Sequence, residues 1–142
     1  MKPVMQRNRH CPDDGVYGDC HRAAYASIME LELDEVPHFF DQGRSWDEAH
    51  PLFLEFWDHH GIMEITIPFA SERGDVLEAC EVRCPGVPFI LGGESRTGVN
   101  HSVVACGGDI IHDPSIDQSG IVGPCKPDGH YWVTYIVRRL HK

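Results

Sequence analysis

The chain has 142 residues, of which 42% are hydrophobic and 24% charged, a composition typical of one soluble globular domain. Its formal net charge is −10, from 12 basic and 22 acidic residues. Nucleic-acid backbones and anionic membranes are bound by clustered lysine and arginine, so this balance argues against both as main partners. We therefore expect a single domain over residues 1–142, with no nucleic-acid and no membrane partner.

The N-terminal residues give no export signal. Residues 1–6 lack the apolar core of a signal peptide, and no later run reaches the length of a membrane span. The sequence therefore predicts a cytoplasmic protein. Its six cysteines are then expected to be reduced rather than joined in disulfides.

The first predicted helix spans about residues 20–32 and begins with Cys20. Asp19, directly before it, is expected to cap the free amides of the first turn. Ala24 and Ile28 follow Cys20 on one apolar helix face, which is predicted to be buried. The helix dipole favours a thiolate at this position, which suits a cysteine nucleophile. A buried structural cysteine fits the same position.

The later elements follow from capping signals and from β-rich runs. The stretch Ser45–Glu48 has the form of a capping box and predicts a second helix that ends at Gly61. Pro51 conflicts with a continuous helix, so a kink or a late start is expected there. A strand is predicted over 62–69, a short helix over 72–81, and further strands over 87–91, 101–106, 110–112 and 131–137. Helices first and an antiparallel sheet second predict an α+β domain.

The turn at 107–109 predicts a β-hairpin, and its length decides which side chain accompanies His101. A two-residue loop pairs Val103 with His112, whereas a three-residue loop pairs Val103 with Asp113. A carboxylate orients a histidine better than a second histidine does. We therefore expect the longer loop, or a bulge, with Asp113 beside His101.

Three residues of types suited to catalysis follow one another along the chain: Cys20 at a helix N-terminus, His101 at the start of a strand, and Asp113 at the end of the next strand. A cysteine nucleophile needs a base, and the base needs an orienting group. This order resembles the papain-like cysteine peptidase fold. The compact layout is most similar to the bacteriocin leader-peptide peptidases and related small bacterial and phage proteins. The matching stretches are 18–20 with the alanine-rich helix, 34–39, 100–104 and 112–114.

The resemblance implies N-terminal helices packed on a C-terminal antiparallel β-sheet. It implies a nucleophilic thiolate at Cys20, a general base at His101 and an orienting carboxylate at Asp113. No cofactor is implied. For a phage-encoded protein, the location would be the host cytoplasm.

The resemblance also implies a glutamine shortly before the cysteine that holds the oxyanion. The residue six positions upstream is Asp14, whose charge would repel an oxyanion. Gln6 is the only glutamine before Cys20, and it can serve only if residues 7–19 bulge out as a loop. The backbone N–H of Cys20 could supply the other half of the oxyanion hole.

The implied function is hydrolysis or acyl transfer at an amide or peptide bond, with a peptide or small amide-containing molecule as substrate. Two alternatives stay open. One is a catalytically inactive papain-like domain that binds a peptide or small ligand in the same cleft. The other is a zinc-stabilised interaction module, prompted by the pairs His10-Cys11 and Cys20-His21.

Overall fold

The computed structural model describes residues 1–141. Within them the helices are α1 (Cys20–Met29), α2 (Trp46–His60) and α3 (Arg73–Arg83). The strands are β1 (Ile62–Phe69), β2 (Pro88–Glu94), β3 (Asn100–Cys106), β4 (Asp109–His112) and β5 (Tyr131–Arg138). They form one antiparallel sheet of five strands in the spatial order β1-β5-β2-β3-β4. The predicted α+β class is confirmed. Among residues 1–141, no helix combines the length and apolarity needed to span a membrane.

Helix α1 is buried around most of its middle, not along one face alone. Ala23, Ala24 and Ala26 have no exposed surface, whereas Ile28 is only half-buried. The predicted face is fully buried at Ala24 and partly buried at Cys20 and Ile28, and other faces are buried as well because small side chains let neighbouring elements approach the helix from several sides. The helix also ends earlier than predicted, since Glu30 adopts a left-handed backbone conformation at its C-cap.

Helix α2 begins where the capping box predicts. The Ser45 hydroxyl accepts the N–H of Glu48, and the Glu48 carboxylate accepts the N–H of Ser45, each over 3.1 Å. Of the two expected effects of Pro51, a kink or a late start, the late start is wrong, because the helix runs from Trp46 continuously through Pro51. Pro51 removes only the hydrogen bond to the carbonyl of Asp47, and both residues are exposed, so water can hydrate that carbonyl.

Helices cover both faces of the sheet. Ile90 and Val104 pack with α1 and α2 in one core cluster. Leu91 and Val103, each one position along the same strands, pack with Val76 of α3 in a second cluster. Successive strand residues point to opposite faces, so α3 lies opposite α1 and α2. The predicted arrangement of helices on a C-terminal sheet is thus only partly right, because β1 precedes α3 and forms one sheet edge.

Gly93 lets the segment after β4 lie directly against β2. A Cβ atom there would be 2.6 Å from the carbonyl oxygen of Gly123 and from Cγ2 of Ile121. The adjacent Glu94 donates its N–H to the same Gly123 carbonyl over 2.8 Å. This contact holds residues 119–123 beside the end of β3, where His101 lies.

Candidate active site

Cys20 and His101 line one cleft at the N-terminal end of α1. Cys20 is the first residue of the helix and is half-buried, at the end where the helix dipole is positive. His101 is the second residue of β3 and is 6% exposed. Both line a cavity of about 230 Å³ and an adjoining one of about 610 Å³. The fold therefore brings together two of the predicted residues that are distant in sequence.

His101 also contacts the predicted carboxylate. Its Nε2 lies 2.7 Å from Oδ1 of Asp113, which leaves Nδ1 as the ring nitrogen for Cys20. Burial alone would lower the pKa of His101, but hydrogen bonding to Asp113 and the interaction with Cys20 raise it to about 9. His101 is therefore an imidazolium at neutral pH, placed between the carboxylate of Asp113 and Cys20.

A bulge in the β3–β4 hairpin sets this arrangement. The turn contains only residues 107–108, but the register then shifts so that Val104 pairs with His112 and one residue of β4 is left unpaired. This extra residue restores the parity that places Asp113 on the same face as His101. Of the two expected solutions, the longer loop and the bulge, the structure has the bulge.

Asp113 is held by four hydrogen-bond donors. Its Oδ1 accepts from His101 and from the N–H and hydroxyl of Ser115, at 2.9 and 2.7 Å, and its Oδ2 accepts the N–H of Gly120 at 2.8 Å. Burial alone would raise the pKa of Asp113, but these bonds lower it well below its usual range. Ser115 is not among the site residues predicted from the sequence. The signal was present, because an aspartate followed two residues later by a turn residue is typical of an Asx turn.

His112, the alternative companion of His101, has a different partner. Its Nε2 donates to the carbonyl of Val4 over 2.8 Å. Two residues further along, the N–H of Gln6 donates to the carbonyl of Pro114 over 2.9 Å. Both hydrogen bonds hold the N-terminal segment against β4 and the residues that follow it. His112 therefore anchors this segment, and Asp113 is the partner of His101.

Asp19 closes the loop of residues 7–19 and does not cap α1. Its side chain makes no capping hydrogen bond, which corrects the prediction. Instead, Oδ1 accepts the N–H groups of Arg7 and Asn8 over 3.0 and 2.8 Å. The Arg22 guanidinium lies 3.5 Å from Oδ2. Asp19 is 1% exposed, so these partners offset the cost of burying its charge.

The closed loop brings Gln6 to the cleft. Gln6 lines the smaller cavity together with Cys20 and His101. One N–H of its amide donates to the carbonyl of Asn8 over 2.7 Å, and the second makes no hydrogen bond within residues 1–141. Asp14 lines neither cavity, because it is exposed and accepts the Cys11 thiol over 3.3 Å.

The structure gives no support to the zinc alternative. Within residues 1–141, no three His, Cys, Asp or Glu side chains are grouped to hold a metal ion. His10 accepts the N–H of Gly18 over 3.1 Å, and Cys11 donates to Asp14. The cysteines, all within this part of the chain, are free thiols.

His21, directly after Cys20, is buried among aromatic rings. Its Nδ1 lies 3.2 Å from the Ser102 hydroxyl, and its Nε2 is buried with no hydrogen-bond partner in the described part of the chain. The rings of Phe40 and Trp46 approach it edge-on, with centroids 5.8 and 5.5 Å away. Burial lowers the pKa of His21 to about 4, so it is neutral at neutral pH.

We expect His21 to make the protein less stable in acid. The pKa of His21 is about 4 in the folded protein and about 6.5 in the unfolded chain. The contribution of the neutral, buried imidazole to the free energy of unfolding is therefore complete above pH 6.5 and is lost as the pH falls towards 4. Between pH 7 and 4.5 this loss amounts to about 2–3 kcal/mol. Urea denaturation of wild type and His21→Gln at both pH values measures it. The variant should lose correspondingly less stability, and an equal loss in both proteins would contradict the assignment.

Comparison with known proteins returns no relative of this chain. No family model, no curated protein and no solved structure matches it. The chemistry of this protein is therefore inferred from the side chains of the cleft.

Proposed function

We propose that this protein is a thiol enzyme of papain-like fold that cleaves or transfers the acyl group of an amide or peptide. The observation that supports this best is the placement of one imidazole between two groups. His101 lies 2.7 Å from Asp113 and interacts through its ring with Cys20 at the N-terminus of α1. A nucleophile, a base and an orienting acid in hydrogen-bond sequence are what nucleophilic catalysis by cysteine requires.

The reaction would proceed in two halves. The proton of the pair is held by His101 as its imidazolium, and Cys20 attacks the substrate carbonyl carbon as the thiolate. The C–N bond breaks as His101 passes its proton to the leaving amine, and a thioester remains on Cys20. Water or an acceptor amine, deprotonated by His101, then attacks the thioester and releases the thiolate. The backbone N–H of Cys20 and the amide of Gln6 are the proposed donors to the oxyanion.

Asp113 would act through His101. An acceptor at Nε2 fixes the ring orientation, directs Nδ1 towards Cys20 and stabilises the imidazolium that forms. The donors from Ser115 and Gly120 keep Asp113 ionised and fixed in place.

A second candidate function is ligand binding without catalysis in the same cleft. One observation favours it: the Gln6 amide already donates to the carbonyl of Asn8. An oxyanion hole needs donors directed at the substrate oxygen. This candidate requires no enhanced reactivity of Cys20, which makes the two functions separable by experiment.

Alkylation by iodoacetamide at pH 6, followed by peptide mass spectrometry, tests the proposal. Only about 1% or less of an ordinary thiol is ionised at this pH, so a thiolate paired with an imidazolium should react up to about a hundredfold faster. Cys20 is expected to be alkylated first among the six cysteines. The urea-unfolded protein is the matched control, in which all the cysteines should react at similar rates.

The opposite result is equally clear. If Cys20 in the folded protein reacts no faster than free cysteine at pH 6, the catalytic proposal is wrong and binding without catalysis is favoured.

A further inference from the structure

The larger cavity extends from Cys20 across the face of the sheet that carries α1. It has a volume of about 610 Å³, enough for an amino-acid side chain together with its neighbours. Its sheet-side lining includes Glu64 and Thr66 of β1 and Trp132 and Thr134 of β5. It is therefore continuous with the proposed nucleophile and large enough to hold the acyl part of a substrate.

Glu64 is a carboxylate in this cavity that forms no ion pair among residues 1–141. The Tyr25 hydroxyl donates to Oε2, and the Thr66 hydroxyl lies 3.4 Å from Oε1. Thr66 in turn lies 3.2 Å from the Thr134 hydroxyl. These partners are neutral, and Glu64 forms no ion pair with a lysine or arginine among residues 1–141. Burial raises the pKa of Glu64, although the hydrogen bonds from Tyr25 and Thr66 and the nearby His50 act in the opposite direction.

The basic side chains that line the same cavity are already paired. Arg22 lies between Asp19 and Asp34, at 3.5 and 3.4 Å. The ammonium of Lys126 lies 2.7 Å from Glu94. Neither is available to compensate Glu64, so the cavity has a negative charge that a ligand can neutralise.

Aromatic rings and a second carboxylate border the cavity. Trp46, which is 60% exposed, packs against Phe40 with ring centroids 4.6 Å apart. The Trp132 indole, also in the lining, donates to Asp128 over 3.0 Å. Exposed aromatic faces beside carboxylates attract cations with an apolar stem, through cation–π interactions and through burial of the stem.

We propose that this cavity binds a cationic side chain of the acyl donor, an ammonium or a guanidinium, with Glu64 as its counter-charge. The inference rests on the proposed thiol chemistry at Cys20 and adds a substrate class to it. Its ligand is a peptide or amide with a lysine-like or arginine-like side chain near the scissile carbonyl. The hydroxyl groups of Tyr25 and Thr66 position the Glu64 carboxylate, and its negative charge can pair with the cation of the substrate.

Peptidyl chloromethyl ketones test this directly, because Cys20 Sγ displaces the chloride and forms a stable thioether. Two pairs of acetylated dipeptide ketones are compared, with lysine at either position or, in its place, norleucine, which has the same four-carbon stem without the ammonium. At one of the two positions, the lysine reagent should alkylate Cys20 about tenfold faster than its norleucine partner. In Glu64→Gln this preference should fall to about twofold or less. Glu78→Gln, an exposed carboxylate on α3, is the matched control and should keep the full preference.

Two further measurements separate this inference from the thiol chemistry. Iodoacetamide alkylation of Cys20 in wild type and Glu64→Gln gives the thiol reactivity by which each chloromethyl ketone rate is normalised, and circular dichroism checks that the variant is folded. In Cys20→Ser, tryptophan fluorescence should report binding of N-acetyl-lysine methylamide about tenfold tighter than that of the norleucine analogue. Equal rates and equal binding of lysine and norleucine compounds would overturn the cation site while leaving the reactivity of Cys20 intact. A preference that persists in Glu64→Gln would overturn the assignment of Glu64.

Discussion

Replacing Asp113 with asparagine is expected to reduce the alkylation rate of Cys20 at pH 6 by about a hundredfold, to that of an ordinary thiol. The carboxylate accepts four hydrogen bonds, one of them from His101 at 2.7 Å. An asparagine amide offers one oxygen and one NH₂ group, so at least one of these donors would face another donor. Without the negative charge, the imidazolium of His101 loses its main stabilising partner.

The same substitution should change the pH dependence of stability. The folded pKa of His101 is raised to about 9, so its stabilising contribution is present below pH 6.5 and is lost as the pH rises through 9. In wild type this loss amounts to up to about 3 kcal/mol between pH 6 and 10. The pKa of Asp113 is lowered, so its own contribution is present at neutral pH and is lost only as the pH falls below about 4. Asp113→Asn should remove most of both effects.

Urea denaturation across pH 3–10 and alkylation kinetics at pH 6 measure these two consequences. Asp109→Asn is the matched control, since Asp109 is exposed on the same hairpin, lines neither cavity and should behave like wild type. An Asp113→Asn protein with wild-type alkylation kinetics would show that Asp113 does not orient His101.

Replacing Asp19 with alanine is expected to lower the free energy of unfolding by about 3–5 kcal/mol. Its carboxylate is buried and accepts the N–H groups of Arg7 and Asn8 while facing Arg22. Removing it leaves two backbone donors without their acceptor and weakens the pairing of a largely buried guanidinium. The loop of residues 7–19 should then open and take Gln6 away from the cleft.

Timed trypsin digestion and urea denaturation check this expectation. Trypsin should cut after Arg7 and Arg9 faster in Asp19→Ala than in wild type, because the opened loop exposes both bonds. Asp13→Ala, at an exposed position in the same loop, should leave stability and digestion near wild type. Unchanged stability in Asp19→Ala would contradict its role in closing the loop.

The sequence alone determined the local elements where short-range interactions decide them. Ser45 and Glu48 satisfy each other's backbone amides, so the capping box located the start of α2 correctly. The β-branched and aromatic residues of β5 were also recognisable as a strand, because neighbouring residues in this run share one backbone preference. The order of Cys20, His101 and Asp113 could also be read directly.

Tertiary structure alone decided which partners these residues meet. Sequence parity left two registers open for the hairpin, and only the bulge in β4, set by packing across the sheet, placed Asp113 beside His101. Asp19 looked like a helix cap, yet its carboxylate binds backbone amides from a loop that starts twelve residues earlier. Glu64 carries no local signal, because its position in the cavity depends on how β1 pairs with β5. Local hydrogen bonds and periodicity are encoded within a few residues, whereas contacts between distant segments depend on packing of the whole chain.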